Sequence, residues 1–280
     1  LLLDTAMQAY PELAGARKIS HALSRTKQIA KHLERRIEVR EREEEFLDIE
    51  SRIILGDSIE VIKSLPSESL DHIITDPPFG VEYDRRKEGS DGEFTSYEDS
   101  VESYENLLTM VPDLFRVLKP DGFCIWFFGI SWYERVKTAF RGAGFTVDEL
   151  PIIWDRTEGT CHTNRPDRYF SRGYDVALHA FKGEPEIVKR GHPNIFHHAP
   201  ISAHNRELLV ERPVALYQDL IQHLTLPGQT VGDFFVGSGS CPAAAASVGR
   251  NYLGVELSPE RRLAAIKKIH SHTPIKDAVA

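Results

Sequence analysis

The residues best equipped for chemistry are Asp76-Pro77-Pro78-Phe79, which close the apolar run Asp71-His72-Ile73-Ile74-Thr75. A short β-branched run ending on a carboxylate and two prolines predicts a buried strand that delivers a rigid, polar loop to a cleft. Proline fixes φ and donates no hydrogen bond, so the loop carbonyls face outward as pure acceptors. An acid, an outward carbonyl and an aromatic ring together suit a planar ring that carries an amino group. A nucleobase answers that description.

Asp-Pro-Pro also occurs in ordinary turns, so the tetrapeptide needs support from elsewhere in the chain. Thr230-Val231-Gly232-Asp233-Phe234-Phe235-Val236-Gly237-Ser238-Gly239-Ser240 predicts a strand running into a glycine turn. The helix-forming run Ala243-Ala244-Ala245-Ala246 follows, and then Asn251-Tyr252-Leu253-Gly254-Val255-Glu256-Leu257, a second strand with an acid near its end. Strand, Gly-x-Gly turn, helix, strand and acid form the layout of a nucleoside half-site at the carboxyl ends of a parallel sheet. Glu256 lies about twenty residues beyond the turn, where a carboxylate can accept both hydroxyls of a ribose. The turn lacks a third glycine and the chain has no Gly-Lys-Ser/Thr run, which weighs against a pyrophosphate or a nucleotide phosphate. S-adenosylmethionine, an adenosine without phosphate, fits these absences, and the indicated chemistry becomes methyl transfer to the base nitrogen. Upstream, Gly56-Asp57 also ends an apolar run, and Asp57 can accept from the adenine amino group of such a cofactor.

Taken in order, Gly56-Asp57, Asp76-Pro77-Pro78-Phe79, Asp233 to Ser240 and Gly254-Val255-Glu256 resemble the permuted, β-class amino-methyltransferases of DNA. In that family the Asp-Pro-Pro-aromatic motif precedes the glycine motif. The resemblance covers about residues 53–270. It implies an α/β, Rossmann-like fold with a mostly parallel seven-stranded sheet and helices on both faces. It further implies catalysis by Asp76, Pro77, Pro78 and Phe79, with S-adenosylmethionine held by Asp57, Asp233, Phe234, Phe235, Gly237, Ser238, Gly239 and Glu256. Phe234 and Ser240 are variants of the usual glycine motif. Where the family often has Gln-Lys-Pro, this chain has Glu211-Arg212-Pro213, and Arg212 is expected either to meet the cofactor's carboxylate or to stand as a surface cation at a helix start.

The expected mechanism follows. Asp76 accepts one amino hydrogen and the Pro77 carbonyl the other, which frees the nitrogen lone pair. Phe79 stacks on a base that has left the duplex. Asp before Pro-Pro leans toward adenine in the family, Ser toward cytosine. N4-cytosine methylation, RNA methylation and a catalytically silent cofactor- or DNA-binding module stay open.

A net charge of −8 does not describe a protein coated for nucleic acid. Local fields decide binding, however, and Arg85, Arg86 and Lys87 follow the catalytic motif. Arg156, Arg165, Arg168, Arg172, Lys182, Lys189 and Arg190 gather mid-chain. Arg85, Arg86, Lys87, Arg165, Arg168 and Arg172 are the expected contacts to double-stranded DNA. Cys124, Cys161 and Cys241 are scattered and odd in number, as in a reducing compartment. His192, His197, His198 and His204 lack metal-ligand spacing and are expected to be solvated loop residues, and no metal is expected. No apolar run is long enough to cross a bilayer and no signal peptide is evident, so a cytoplasmic enzyme of a prokaryote or phage is expected.

Residues 1–50 are charged and helical in character, with Ile29, Leu33 and Ile37 at helical spacing, and are expected to form an appendage for packing or oligomerisation, or to be the tail of an upstream domain. Residues 51–280 are the expected catalytic domain. Within it the spacing predicts a mobile loop at 81–96, a helix at 97–118, strands at 123–128, 145–154 and 176–181, and a helix at 131–141. The polar, aperiodic stretch after 155 belongs to the expected target-recognition region, 155–206. Members of the family often dimerise, and oligomeric state stays open.

Overall fold

The computed structural model describes residues 19–80, 100–157, 166–202 and 211–274. The β-branched and aromatic runs become strands β1 (Ile53–Leu55), β2 (His72–Thr75), β3 (Gly122–Phe128), β4 (Thr146–Val147), β5 (Ile152–Asp155), β6 (Tyr174–Lys182), β7 (Ile195–His197), β8 (Thr230–Asp233) and β9 (Asn251–Glu256). Between them lie helices α1 (Ile19–Arg52), α2 (Ser58–Ser64), α3 (Val101–Leu108), α4 (Val111–Val117), α5 (Tyr133–Gly142), α6 (Val214–Leu224), α7 (Ser240–Ser247) and α8 (Pro259–His272).

The strands form one sheet in the order β1-β9-β8-β2-β3-β6-β5-β7, with β4 paired to β6. From β1 to β3 every pairing is parallel. β6 runs antiparallel to β3, β4 and β5, and β7 is parallel to β5. The fold is the α/β sheet expected, with nine strands among the described residues rather than seven. The two additions, β4 and β7, have two and three residues, too few to show a period.

The topology creates the site. The connection from β8 through α7 leads to β9 on one side, and that from β2 through α3 and α4 leads to β3 on the other. Connections that leave in opposite directions open a crevice at the carboxyl ends of β8 and β2, where open α/β sheets bind ligands. All residues of β2 and β3 are buried, as central parallel strands require. Helices α2, α4 and α5 form one packed group, and α6, α7 and α8 another.

Trp126, Phe140 and Phe145 lie in the core, with Phe140 centred 5.7 Å from Trp126 and 5.0 Å from Phe145. Phe140→Ala is expected to cost about 3–5 kcal/mol, from lost transfer energy and the cavity left behind. A fall in the urea midpoint without a change in slope is the expected reading.

Two predicted elements divide. The helix expected at 97–118 is α3 and α4, because Pro112 at the start of α4 lacks the N–H needed to continue the ladder. The strand expected at 145–154 is β4 and β5, interrupted where Asp148 Oδ1 accepts from Leu150 N at 3.0 Å just before Pro151.

The chain divides into two units, Leu1–Asp48 and Ile49–Ala280. In the first, Leu33 and Ile37 are exposed. In the second, α8 is anchored where Arg262 Nη2 donates to the Glu50 carbonyl at 2.7 Å. The loop expected at 81–96, with Arg85, Arg86 and Lys87, lies outside the described residues, as do Cys161, Arg165 and His204. Among the described residues no helix is long and apolar enough to cross a membrane.

Candidate active site

Four acids stand near the carboxyl ends of adjacent strands: Asp57 after β1, Glu256 ending β9, Asp233 ending β8 and Asp76 after β2. Local hydrogen bonds weld these ends together. Thr75 Oγ1 donates to Asp233 Oδ1 at 2.8 Å and accepts from Phe234 N at 3.0 Å, tying β2 to the glycine turn. The buried Ser58 hydroxyl donates to the Phe234 carbonyl, and Gly56 N to the Glu256 carbonyl at 3.0 Å.

The turn itself is held by Glu256. Gly237 N donates to its Oε2 at 2.8 Å and Ser258 N to its Oε1 at 2.9 Å, while the residue is only 2% exposed. Burial raises its pKa against these donors. Each oxygen keeps a further lone pair for a hydroxyl. Gly237 and Gly239 adopt left-handed φ of 55° and 88°. A Cβ on Gly239 would stand 2.7 Å from Ala265 Cα in α8, so Gly239→Ala is expected to disturb the turn both sterically and by strain. About a tenfold loss of cofactor affinity is expected, read by calorimetry, since one misplaced hydrogen bond is worth about 1 kcal/mol or more.

Phe234 and Phe235 are buried, Phe235 edge-on to Trp126 at 6.0 Å. Ser238 is buried beside Ser240, their hydroxyls 3.5 Å apart. Asp57 is exposed and caps α2, its Oδ1 accepting from Ile59 N at 2.8 Å. Asp233 is buried with Oδ1 also accepting from Phe235 N at 3.1 Å, and burial pushes its pKa up to about 7. The turn carries hydroxyls and backbone amides and no cation. That donor set fits a nucleoside sulfonium with hydroxyls to bind and does not fit a polyphosphate.

Asp76 sits on the other side of the crevice. Its Oδ2 takes a charge-assisted hydrogen bond from Arg212 Nη1, and its Oδ1 is closed to solvent with no hydrogen-bond partner among the described residues. Burial raises its pKa to about 6 in spite of the arginine. Pro77 is buried, and Pro78 and Phe79 are half-buried. The Phe79 ring lies 5.5 Å from the Arg212 guanidinium.

Arg212 departs from the expectation of a surface cation at a helix start. It is 6% exposed, so it is no surface cation, and its second amino group, Nη2, lies 3.6 Å from Asp175 Oδ2. The guanidinium thus faces two carboxylates of the chain. Asp175 on β6 is absent from the expected site. Its meeting with Arg212 depends on β3–β6 and β5–β6 register, which no local pattern carries. The buried ion pair of Lys268 with Glu211, near Ser240 Oγ at 3.5 Å from Glu211 Oε1, was likewise invisible in the sequence.

The basic residues separate. Arg168 and Arg172 are exposed beyond the carboxyl end of β5, in a segment closed by Arg156 N donating to the Gly173 carbonyl at 2.9 Å. Lys182 lies at the opposite end of the strands, beside the start of β3, where it donates to the Leu118 carbonyl at 2.8 Å and cannot join them. Three of the histidines also have partners, His192 and His197 while exposed to solvent and His198 partly buried. His192 stacks on Phe196 at 4.6 Å, His197 Nδ1 lies 2.8 Å from Asp155 Oδ2, and His198 Nε2 lies 3.1 Å from Asp219 Oδ2. Among the described residues no group of three or more His, Cys, Asp or Glu is arranged to hold a metal ion.

Strand order, the crevice between β8 and β2, and an acid–Pro-Pro–Phe loop preceding the glycine motif form the arrangement that the resemblance in the sequence implies. A family model for DNA methylases of the N6/N4 methyltransferase type matches residues 70–209 and 190–267. The chain belongs to this N6/N4 DNA methylase family. YubD of Escherichia coli (strain K12), named as a methylase, is 31% identical over 225 residues, covering 78% of this chain and 92% of its own. The type II methyltransferase M.HinfI of Haemophilus influenzae is 26% identical over 262 residues, covering 80% of this chain and 71% of its own. Among solved structures, the M1.HpyAVI–SAM complex is similar with a TM-score of 0.61 and 21% identity, covering 78% of this chain and 98% of that one. The cytosine-N4-specific PvuII DNA methyltransferase has a TM-score of 0.61 and 20% identity, covering 78% and 90%. At these identities the solved structures speak for the fold alone.

Proposed function

We propose that this chain transfers a methyl group from S-adenosylmethionine to the exocyclic amino nitrogen of a base flipped from double-stranded DNA, and that the base is adenine. The observation that carries this reading is Asp76 Oδ1, a solvent-excluded acceptor without a partner among the described residues, across a crevice from the glycine turn. S-adenosylmethionine, when bound, supplies an electrophilic methyl group on its sulfonium. Glu256 holds the ribose hydroxyls with its remaining lone pairs, and Phe235, Gly237, Ser238 and Gly239 shape the seat. Asp57 and Asp233 border it, and Phe234 fixes it through its backbone bonds to Thr75 and Ser58.

An aromatic amine is a poor nucleophile because its lone pair is delocalised into the ring. Asp76 Oδ1 and the Pro77 carbonyl accept its two hydrogens, which turns the nitrogen toward tetrahedral geometry. Asp76 takes the proton as positive charge develops on nitrogen, and Phe79 stacks on the base. Adenine is favoured because the motif opens on Asp rather than Ser. The target-recognition element falls within 155–206, and exposed Arg168 and Arg172 are suited to phosphates. The bacterial relatives support a bacterial or phage-encoded, cytoplasmic enzyme.

Asp76 acts as its carboxylate, so kcat is expected to fall as pH drops through about 6, the value to which burial lifts this group. Arg212 opposes that lift, while Asp175, Asp233, Tyr104 and Tyr217 also face the group. A pH–rate profile checks it; a rate flat to pH 4 contradicts it. The function itself is tested by labelled methyl transfer from S-adenosylmethionine to unmethylated bacterial DNA, RNA or protein offered separately. Label in DNA alone is expected, and label in RNA or protein alone contradicts the reading.

A further inference from the structure

We propose that Asp175 and Arg212 are positioning residues for the transfer step: Asp175 anchors the Arg212 guanidinium, which occupies Oδ2 of Asp76 so that only Oδ1 meets the substrate amine. This rests on the methyl-transfer reading above.

Four observations converge on it. Arg212 bonds Asp76 Oδ2 through Nη1 and faces Asp175 Oδ2 at 3.6 Å through Nη2. Its guanidinium carbon lies 4.3 Å from the Phe127 ring centre, with Phe79 at 5.5 Å and Trp154 at 5.6 Å. The backbone on either side is fixed, since Glu211 is paired with Lys268 in the interior and Pro213 caps α6 at φ −67°. Asp76 Oδ1 and Arg212 Nε are buried and unpaired among the described residues, so the Asp76 carboxylate has one oxygen committed and one uncommitted.

Each element of this arrangement suits arginine and excludes lysine. A planar fork can serve two carboxylates while stacking on aromatic faces; a single ammonium cannot do both. Asp175 is needed because a cation held by Asp76 alone could rotate about one hydrogen bond and carry the carboxylate with it. Asp175 also lies 3.7 Å from Arg156 Nη1, at the base of the 156–173 segment. A displacement of about 1 Å at the reacting centre costs on the order of a hundredfold in rate, so a loosened anchor is visible in kcat.

The experiment compares wild type, Asp175→Asn, Arg212→Lys and the double variant. Asp175→Asn, which keeps shape, is expected to lower kcat about tenfold or more with the KM for S-adenosylmethionine unchanged. In the Arg212→Lys background the same substitution is expected to cost nothing further, because Asp175 acts through the guanidinium. The Asp76 carboxyl, followed by 13C NMR and assigned by its loss in Asp76→Asn, is expected to titrate at higher pH in Arg212→Lys. That readout does not depend on turnover, so it separates this inference from the methyl-transfer reading: a shifted titration in a protein that methylates nothing upholds the pair and sinks the function. Wild-type kcat in Asp175→Asn, or an unmoved Asp76 titration in Arg212→Lys, overturns the proposal.

Discussion

Asp76→Asn is expected to lower kcat by about 10³-fold or more while leaving S-adenosylmethionine affinity within about twofold. The substitution keeps the size of the side chain and removes its charge. Arg212 dictates which way the amide turns, because its Nη1 donates to the position of Oδ2. The amide oxygen must face that donor, which leaves the NH₂ group where Oδ1 stood. A donor then faces the amino group of the base, and the hydrogen bond that rehybridises the nitrogen cannot form. Asp76→Ala removes the acceptor without adding a donor and is expected to be nearly as inactive. Cofactor affinity survives in both because the seat is built from β8, β9 and the turn between β8 and α7. Either variant with more than about a tenth of wild-type kcat would remove Asp76 from the mechanism.

Glu256→Ala is expected to weaken S-adenosylmethionine binding about a hundredfold. Glu256 takes Gly237 N at 2.8 Å and Ser258 N at 2.9 Å, so its loss leaves two part-buried amides without their acceptor and releases the glycine turn. Hydrogen bonds to a charged acceptor are worth about 1.5–3 kcal/mol each, and 2.7 kcal/mol is about a hundredfold in affinity. Gln in its place retains one acceptor oxygen and is expected to fall between the two. Calorimetric titration with the cofactor checks this. DNA binding measured without cofactor is expected to be unchanged, so a parallel loss there would point to general unfolding instead.

What the sequence made legible was local. Asp76, Asp233 and Glu256 each close or follow a strand, and Gly237 and Gly239 make the left-handed turn that only glycine adopts without strain, so adjacent residues carry the signal. The order of those motifs then implied the fold. The nonlocal part was hidden. Arg212 stands where the family motif suggested a cofactor contact, and the β3–β6 and β5–β6 pairings bring Asp175 close to it beside Asp76. The helix read through 97–118 failed at Pro112, where a missing N–H outweighs the apolar period. Lys182 counted with the other mid-chain cations in the sequence, but nine residues of antiparallel strand carry it to the far end of the strands, beside the start of β3.

The most direct test of the central claim is the identity of the methylated base. Unmethylated bacterial DNA is incubated with the protein and S-adenosylmethionine, digested to nucleosides and examined by mass spectrometry, with Asp76→Asn as control. N6-methyladenine that appears with the wild-type chain and not with the control is the predicted result. N4-methylcytosine would keep the chemistry of Asp76 and contradict the adenine assignment; no methylated base at all would contradict the claim that this chain methylates DNA.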